Sequence, residues 1–283
     1  MKATRFSSTH IALALAFFFV LLTWPVWRWM WGEWLQNLYY SHGLVVVPLA
    51  AFLAWRRVRN GSTAGRAEPN ALDSGGLVLL AASLVAYLWF LTRGTYYLAA
   101  LAMIGLIGGL VWTFGGARLA RQLAFPIAFL ILMVPLPFIE QATLPLARLT
   151  GACSGAIAQA LGLDVRIAGS ELTLPNANLV IGAQCSGISS IVSLLAMALL
   201  LAYALQGPAW GRIALALLAI PLAMLGNIIR VANLILVAHY LGADAAFHFY
   251  HNGLGAVVFA VLMLLMFPLT RLLQCRTVRS EVL

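Results

Sequence analysis

The sequence predicts an all-α polytopic membrane protein. We expect about eight transmembrane helices, both termini cytoplasmic, and a small extracytoplasmic β-hairpin before the sixth span. Three observations predict this. Of 283 residues, 63% are hydrophobic and only 9% charged. A soluble globular chain averages about 25% charged residues, so this one cannot cover an apolar core with polar surface, and disorder needs the opposite balance. Uncharged stretches long enough to cross a bilayer as a helix, about 20 residues, recur along the whole chain. The basic residues are distributed unevenly about them.

The elements follow in order. The first span, 10–31, grows from the uncharged stretch 11–27 and passes Arg28 to the aromatic cluster ending at Trp31. It is longer than a signal h-region and no small-residue cleavage site follows, so no cleavable signal peptide is expected. The second, 38–55, opens with Tyr39, Tyr40, Ser41 and His42, polar enough to form a loop. The third, fourth and fifth are 74–92, 96–115 and 122–139, and the loop 56–73 reads as solvated. An outer loop, 140–184, precedes the sixth span, 185–206. Its first part, Gln141 to Leu161, is moderately apolar and reads as a helix lying in the interface or dipping into it. Its second part has short β-like runs (165–167, 171–174, 179–181) punctuated by Gly169-Ser170 and Pro175-Asn176, the pattern of a hairpin. The last spans are 212–238 and 252–270, and residues 1–283 form a single integral membrane domain.

With the N-terminus in the cytoplasm, only Arg28, Arg93, Arg148, Arg166 and Arg230 of the 17 basic residues fall at or beyond the outer boundary. This obeys the positive-inside rule. The net charge of +9 then sets orientation, and no nucleic-acid partner is expected. Three cysteines cannot form a disulfide framework. No internal repeat is visible, which weakens a transporter built on inverted repeats.

Candidate chemistry gathers on the outer side. Cys185 opens the sixth span. A thiol in the first turn of a helix meets the positive end of the helix dipole, which favours thiolate, and free N–H groups there can hold an oxyanion. For Cys185 alone, a buried cysteine acting as a small hydrophobe is the commoner case. Ser186, Ser189, Ser190 and Ser193 form one helix stripe; packing explains Ser193, while Ser186 and Ser189 lie where they can line a site. Arg230 interrupts the uncharged stretch from Ile213 to Ala243, about 26 Å along the helix from Ile213. An arginine at that depth is a functional-site hypothesis, its alternative being snorkelling to the headgroups. Asn227 and Asn233 flank it.

His239, His248 and His251 fall in the short connection before the last span. A histidine at position 251 suits general acid–base chemistry. The spacing His-x8-His-x2-His matches no common zinc pattern, so neither metal nor cofactor is expected. Cys185, Arg230 and His251 each lie at the outer end of a different span, the arrangement acyl transfer by a cysteine requires. Cys153, in a second Cys-Ser-Gly triplet, lies inside the amphipathic stretch; a disulfide with Cys185 would argue against a nucleophile. Cys275, among cytoplasmic arginines, reads as structural. His42 reads as a substrate contact or part of an aromatic belt.

The chain from about Tyr39 to Phe267 resembles the exosortase/archaeosortase family of membrane-embedded cysteine transpeptidases. The resemblance rests on Tyr40-Ser41-His42-Gly43, on Phe125-Pro126 through Pro137, and on three ordered blocks: Cys185-Ser186-Gly187-Ile188, Asn227-Ile228-Ile229-Arg230-Val231, and Phe249-Tyr250-His251-Asn252-Gly253-Leu254-Gly255. It implies an enzyme of the inner (cytoplasmic) membrane with its active site facing the extracytoplasmic side. It implies Cys185 as nucleophile, Arg230 as thiolate or oxyanion stabiliser and His251 as general acid/base, with His42, Ser186, Ser189 and Asn227 as candidate substrate contacts. The implied partners are exported proteins with a C-terminal signal (a motif, typically Pro-Glu-Pro, then a helix and a basic tail), membrane lipids, and an envelope acceptor that takes the cleaved product from a thioester. The alternatives are a polytopic transferase acting on lipid-linked substrates, with Arg230 on a phosphate, and a transporter.

Overall fold

The computed structural model describes residues 8–37, 39–61, 73–169, 171–181, 185–249, 253 and 255–279. The chain divides into two compact units, Met1–Pro135 and Leu136–Leu283. Four helical segments among the described residues are long and apolar enough to cross a membrane: Ser74–Thr92, Tyr96–Met133, Ala209–Leu241 and Gly255–Leu272, with Ile188–Ala204 a shorter apolar helix. A count of eight spans further requires the N-terminal helices, both arms of the second segment, and Ile188–Ala204 to cross.

The first unit holds α1 (Ser8–Gln36), α2 (Gly43–Gly61), α3 (Ser74–Thr92) and α4 (Tyr96–Phe129). Asp73 caps α3 by accepting the Gly75 N–H at 2.9 Å, which satisfies one orphan donor of the first turn. The packing is inside out. On α3, Val78, Val85 and Trp89 are exposed, while Gly76, Ser83 and Tyr87 are buried. Against lipid there is no hydrophobic drive to join helices, so small residues that allow close approach do it. A Cβ on Gly109 of α4 would lie 2.7 Å from Leu80 Cα, and one on Gly76 would lie 2.5 Å from the Thr113 nitrogen. The buried Tyr87 hydroxyl donates to the Leu22 carbonyl at 2.8 Å, tying α3 to α1.

The structure folds α4 in two. Its backbone leaves helical geometry at Gly116 (φ 75°, ψ 167°). A Cβ on Gly108 would lie 4.0 Å from Ile127 Cγ2, although a straight helix would hold residues 19 apart about 28 Å from each other. The chain therefore doubles back at Gly116, where a positive φ suits glycine. The second arm departs from the expected 122–139. It ends at Phe129, tightens into a 3₁₀ turn over Leu130–Met133, and runs extended before a new helix opens at Pro137. The reason is the pair Pro135 and Pro137: the residue before a proline is pushed out of the helical region, and Val134 (ψ 125°) and Leu136 (ψ 125°) are both extended. The Leu132 and Met133 carbonyls at this break accept from His42 Nε2 at 2.8 Å and Trp34 Nε1 at 2.9 Å.

The second unit begins with α5 (Pro137–Ala160), followed by strands β1 (Arg166–Ala168), β2 (Glu171–Leu174) and β3 (Ala177–Val180). The strands form one antiparallel sheet in the order β1-β2-β3, a strand more than a hairpin. Alternation sends Leu172, Leu174, Ala177 and Leu179 inward, onto Val231, Leu234, Ile235 and Ala238 of α7 (Ala209–Leu241). Asn176, in the β2–β3 turn, donates to the His239 carbonyl at 2.7 Å and the Ala238 carbonyl at 3.4 Å, closing the C-terminal end of α7. Helices α6 (Ile188–Ala204), α8 (Ala243–Phe249) and α9 (Gly255–Leu272) complete the unit. At the far end β4 (Leu205–Gln206) pairs with β5 (Thr277–Val278), and a Cβ on Gly207 would lie 2.6 Å from the buried Cys275 Sγ.

Close helix contact predicts opposite outcomes at two glycines of the first unit. Gly76→Ala meets unyielding Thr113 backbone and should destabilise by about 1–3 kcal/mol. Gly32→Ala, with nothing within 4 Å of its Cβ, should be neutral or stabilising by up to about 1 kcal/mol. Thermal unfolding in detergent compares them.

Candidate active site

Cys185 lies where the sheet hands the chain to α6. Its side chain is half-buried and packs against the cluster formed by the sheet and α7. The expected helix start at Cys185 is corrected: α6 begins at Ile188, and its N-cap is Gly187 with φ 79° and ψ 2°. A left-handed residue cannot continue a right-handed helix, so Cys185 precedes the first turn. The Ile188 N–H reaches back to Ser186 Oγ at 3.4 Å, and Gly187 itself makes no side-chain cap. Cys185 thus stands outside the N-terminal end of α6, the end from which N–H groups project.

Gly187 takes this conformation beside Asn227 of α7. A Cβ at position 187 would lie 2.7 Å from Asn227 Cγ. Asn227 is 3% exposed, and its amide is engaged on three sides. Nδ2 donates to the Cys185 carbonyl at 2.8 Å and to Thr150 Oγ1 of α5 at 3.0 Å. Oδ1 accepts from Arg230 Nη2 at 2.6 Å. The amide orientation follows, because guanidinium only donates and a carbonyl only accepts. One turn along α7 from Asn227, Arg230 is half-buried and reaches the start of α9: a Cβ on Gly255 would lie 3.7 Å from its Nη1. Beside this contact, Ser154 Oγ of α5 donates to the Ile228 carbonyl at 3.0 Å. The Cys185 carbonyl and the Arg230 guanidinium thus meet on one buried amide, Asn227, beside the glycine that opens α6.

The other residues singled out by sequence are placed as follows. His251 lies outside the described residues. Ser186 is fully buried and, being ahead of the helix, does not share the stripe that Ser189 begins; Ser189 is half-buried in the first turn of α6. Asn227, like Ser186, is buried. Asn233 donates to the Ile229 carbonyl one turn back on its own helix. His42 belongs to the first unit, where Nε2 must carry the proton it shares with Leu132. His239 is half-buried at the end of α7 with its ring edge-on to Tyr240, and His248 is exposed on α8. Cys153 sits within α5, and all three cysteines are thiols, so no disulfide joins Cys153 to Cys185. Ser154 falls in the second Cys-Ser-Gly triplet, whereas Thr150 carries no motif. Its only signal in the sequence is a run of small and hydroxyl residues in a segment otherwise suited to an interface.

Gly187→Ala combines a left-handed alanine, about 1–2 kcal/mol, with a collision against Asn227, about 1–3 kcal/mol more. Gly162 has a similar φ of 86° and nothing within 4 Å of its Cβ, and it closes α5 with the bonds of a left-handed cap, Gly162 N–H to Gln159 and Leu163 N–H to Ala158, so Gly162→Ala should lose only the first part. The difference between their melting temperatures isolates the contact.

Comparison with protein families gives a match over most of the chain. The profile described as Transmembrane exosortase (Exosortase_EpsH) matches residues 31–268, a range that includes every residue of the constellation above. No curated protein and no solved structure matches the chain.

Proposed function

Because this chain belongs to the transmembrane exosortase family, we propose that it is a membrane-embedded cysteine transpeptidase of the inner membrane that cuts the C-terminal sorting signal of exported proteins on the extracytoplasmic side. The observation that carries this reading is Asn227, which joins the Cys185 backbone to the Arg230 guanidinium through one buried amide. A cation fixed next to a cysteine loop favours the thiolate and the oxyanion it generates.

The reaction runs in two halves. The Cys185 thiolate attacks the scissile carbonyl, and the tetrahedral oxyanion develops near Arg230 and the N-terminal end of α6. The C–N bond breaks, His251 gives its proton to the leaving amine, and a thioester remains. The acceptor then loses a proton to His251 and attacks the thioester; the C–S bond breaks and the thiolate returns. His251 is assigned by its sequence block, which ends at Gly255, the glycine that meets Arg230. The signal's motif approaches from the outer side, and its helix docks laterally in the bilayer. Gathering of the thiol and cation at one end of the second unit favours this reading over a transporter, whose polar groups would line a path across the membrane.

The test is cleavage of a co-expressed reporter carrying a Pro-Glu-Pro motif, a transmembrane helix and a basic tail. Cys185→Ala, Arg230→Ala and His251→Ala should each lower cleavage by at least about a hundredfold, and Cys153→Ala should cleave normally, with expression matched by immunoblot. Cleavage by Cys185→Ala would sink the nucleophile assignment. An intact reporter with wild type would move the lipid-linked transferase ahead.

A further inference from the structure

Asn227 and Thr150 are the pair from which we draw one more conclusion, and it rests on the transpeptidase reading. We infer that they are positioning residues: Thr150 of α5 aims the Asn227 amide, and that amide sets the Cys185 carbonyl and the Arg230 guanidinium at a fixed separation, without either residue touching substrate.

Four observations carry this. Thr150 is 0% and Asn227 3% exposed, so neither side chain is open to a peptide. Both Asn227 N–H bonds and its carbonyl oxygen are engaged, by Cys185, Thr150 and Arg230 respectively. The amide has no rotational choice, since flipping it would set N–H against guanidinium and oxygen against carbonyl. Its fourth side is closed by Gly187, where even a methyl group would collide with Cγ and Nδ2. An amide held on all sides transmits position: a shift of the α5 hydroxyl moves the Cys185 loop relative to the cation. Thr150 sits 77 residues before Asn227, and its hydroxyl oxygen reaches the site through that amide.

The chemistry of the amide makes the idea testable with near-isosteric changes. Asn227→Asp keeps the acceptor for Arg230 but cannot donate to the Cys185 carbonyl. Thr150→Val keeps volume and removes the oxygen that accepts from Asn227; Thr150→Ser keeps that oxygen.

The experiment uses the full chain in lipid nanodiscs. N-ethylmaleimide is the probe, and peptide mass spectrometry reads the rate of the Cys185 adduct at neutral pH beside turnover of the sorting-signal reporter. Asn227→Asp should slow alkylation by about tenfold, the effect of losing the one hydrogen bond that holds the Cys185 loop. Thr150→Val should lower kcat by about tenfold with KM unchanged, the effect of one hydrogen bond to a charged network, while Thr150→Ser stays within about twofold of wild type. A Thr150→Ser enzyme as impaired as Thr150→Val would show a packing role only and overturn the inference, as would wild-type alkylation in Asn227→Asp. If wild type fails to cut the reporter but Asn227→Asp still slows alkylation, the transpeptidase reading falls and the positioning role stands.

Discussion

Backbone carbonyls freed wherever a helix breaks inside an apolar protein govern much of this structure. With 9% of its residues charged, the chain has few polar side chains, and a carbonyl without a partner in hydrocarbon costs several kcal/mol. The described breaks show where those side chains go. At the Pro135–Pro137 break, Trp34 and His42 donate to Met133 and Leu132. At the end of α7, Asn176 donates to His239 and Ala238. Ahead of α6, Asn227 donates to Cys185. The same requirement that stabilises each break also fixes what the break carries.

That coupling explains why the candidate site sits where it does. A cysteine inside a helix has its carbonyl in the helical ladder and its thiol on a crowded face, as Cys153 does on α5. Cys185 precedes its helix, so its carbonyl needs an outside donor. The donor is Asn227, whose oxygen holds the arginine one turn away. Local backbone chemistry and the electrostatics of the site are one arrangement. Gly187 is the backbone condition for it, because a left-handed residue with no Cβ lets Asn227 come close.

Membrane packing sets the tolerance of the rest. Helices that meet through Gly76 and Gly109 approach near backbone contact, and their large apolar residues face outward. The sheet obeys the opposite, soluble-protein rule: alternate residues turn inward onto α7. It provides a packed seat at the cysteine end of the second unit. The far end is tied by the β4–β5 pair and the packing of Cys275, which accounts for that cysteine without chemistry.

What the sequence determined by itself follows from composition and order. Apolar length and scarce charge specify helices that belong in a bilayer. Glycine and proline mark the break at Gly116 and the turn at Pro175-Asn176. The three ordered blocks, within the family match over residues 31–268, single out Cys185 and Arg230. Only the tertiary structure decided the rest. The start of α6 at Ile188 depends on Gly187 adopting a left-handed backbone beside α7, which no local propensity encodes. The early end of the second α4 arm reflects two prolines acting together with donors from Trp34 and His42, 99 and 90 residues away. The inward turn of Asn227 and the part played by Thr150 come from contacts between residues 77 apart. Hydrogen-bond satisfaction is a condition on partners in space, and sequence alone shows the groups that need partners without showing which ones they find.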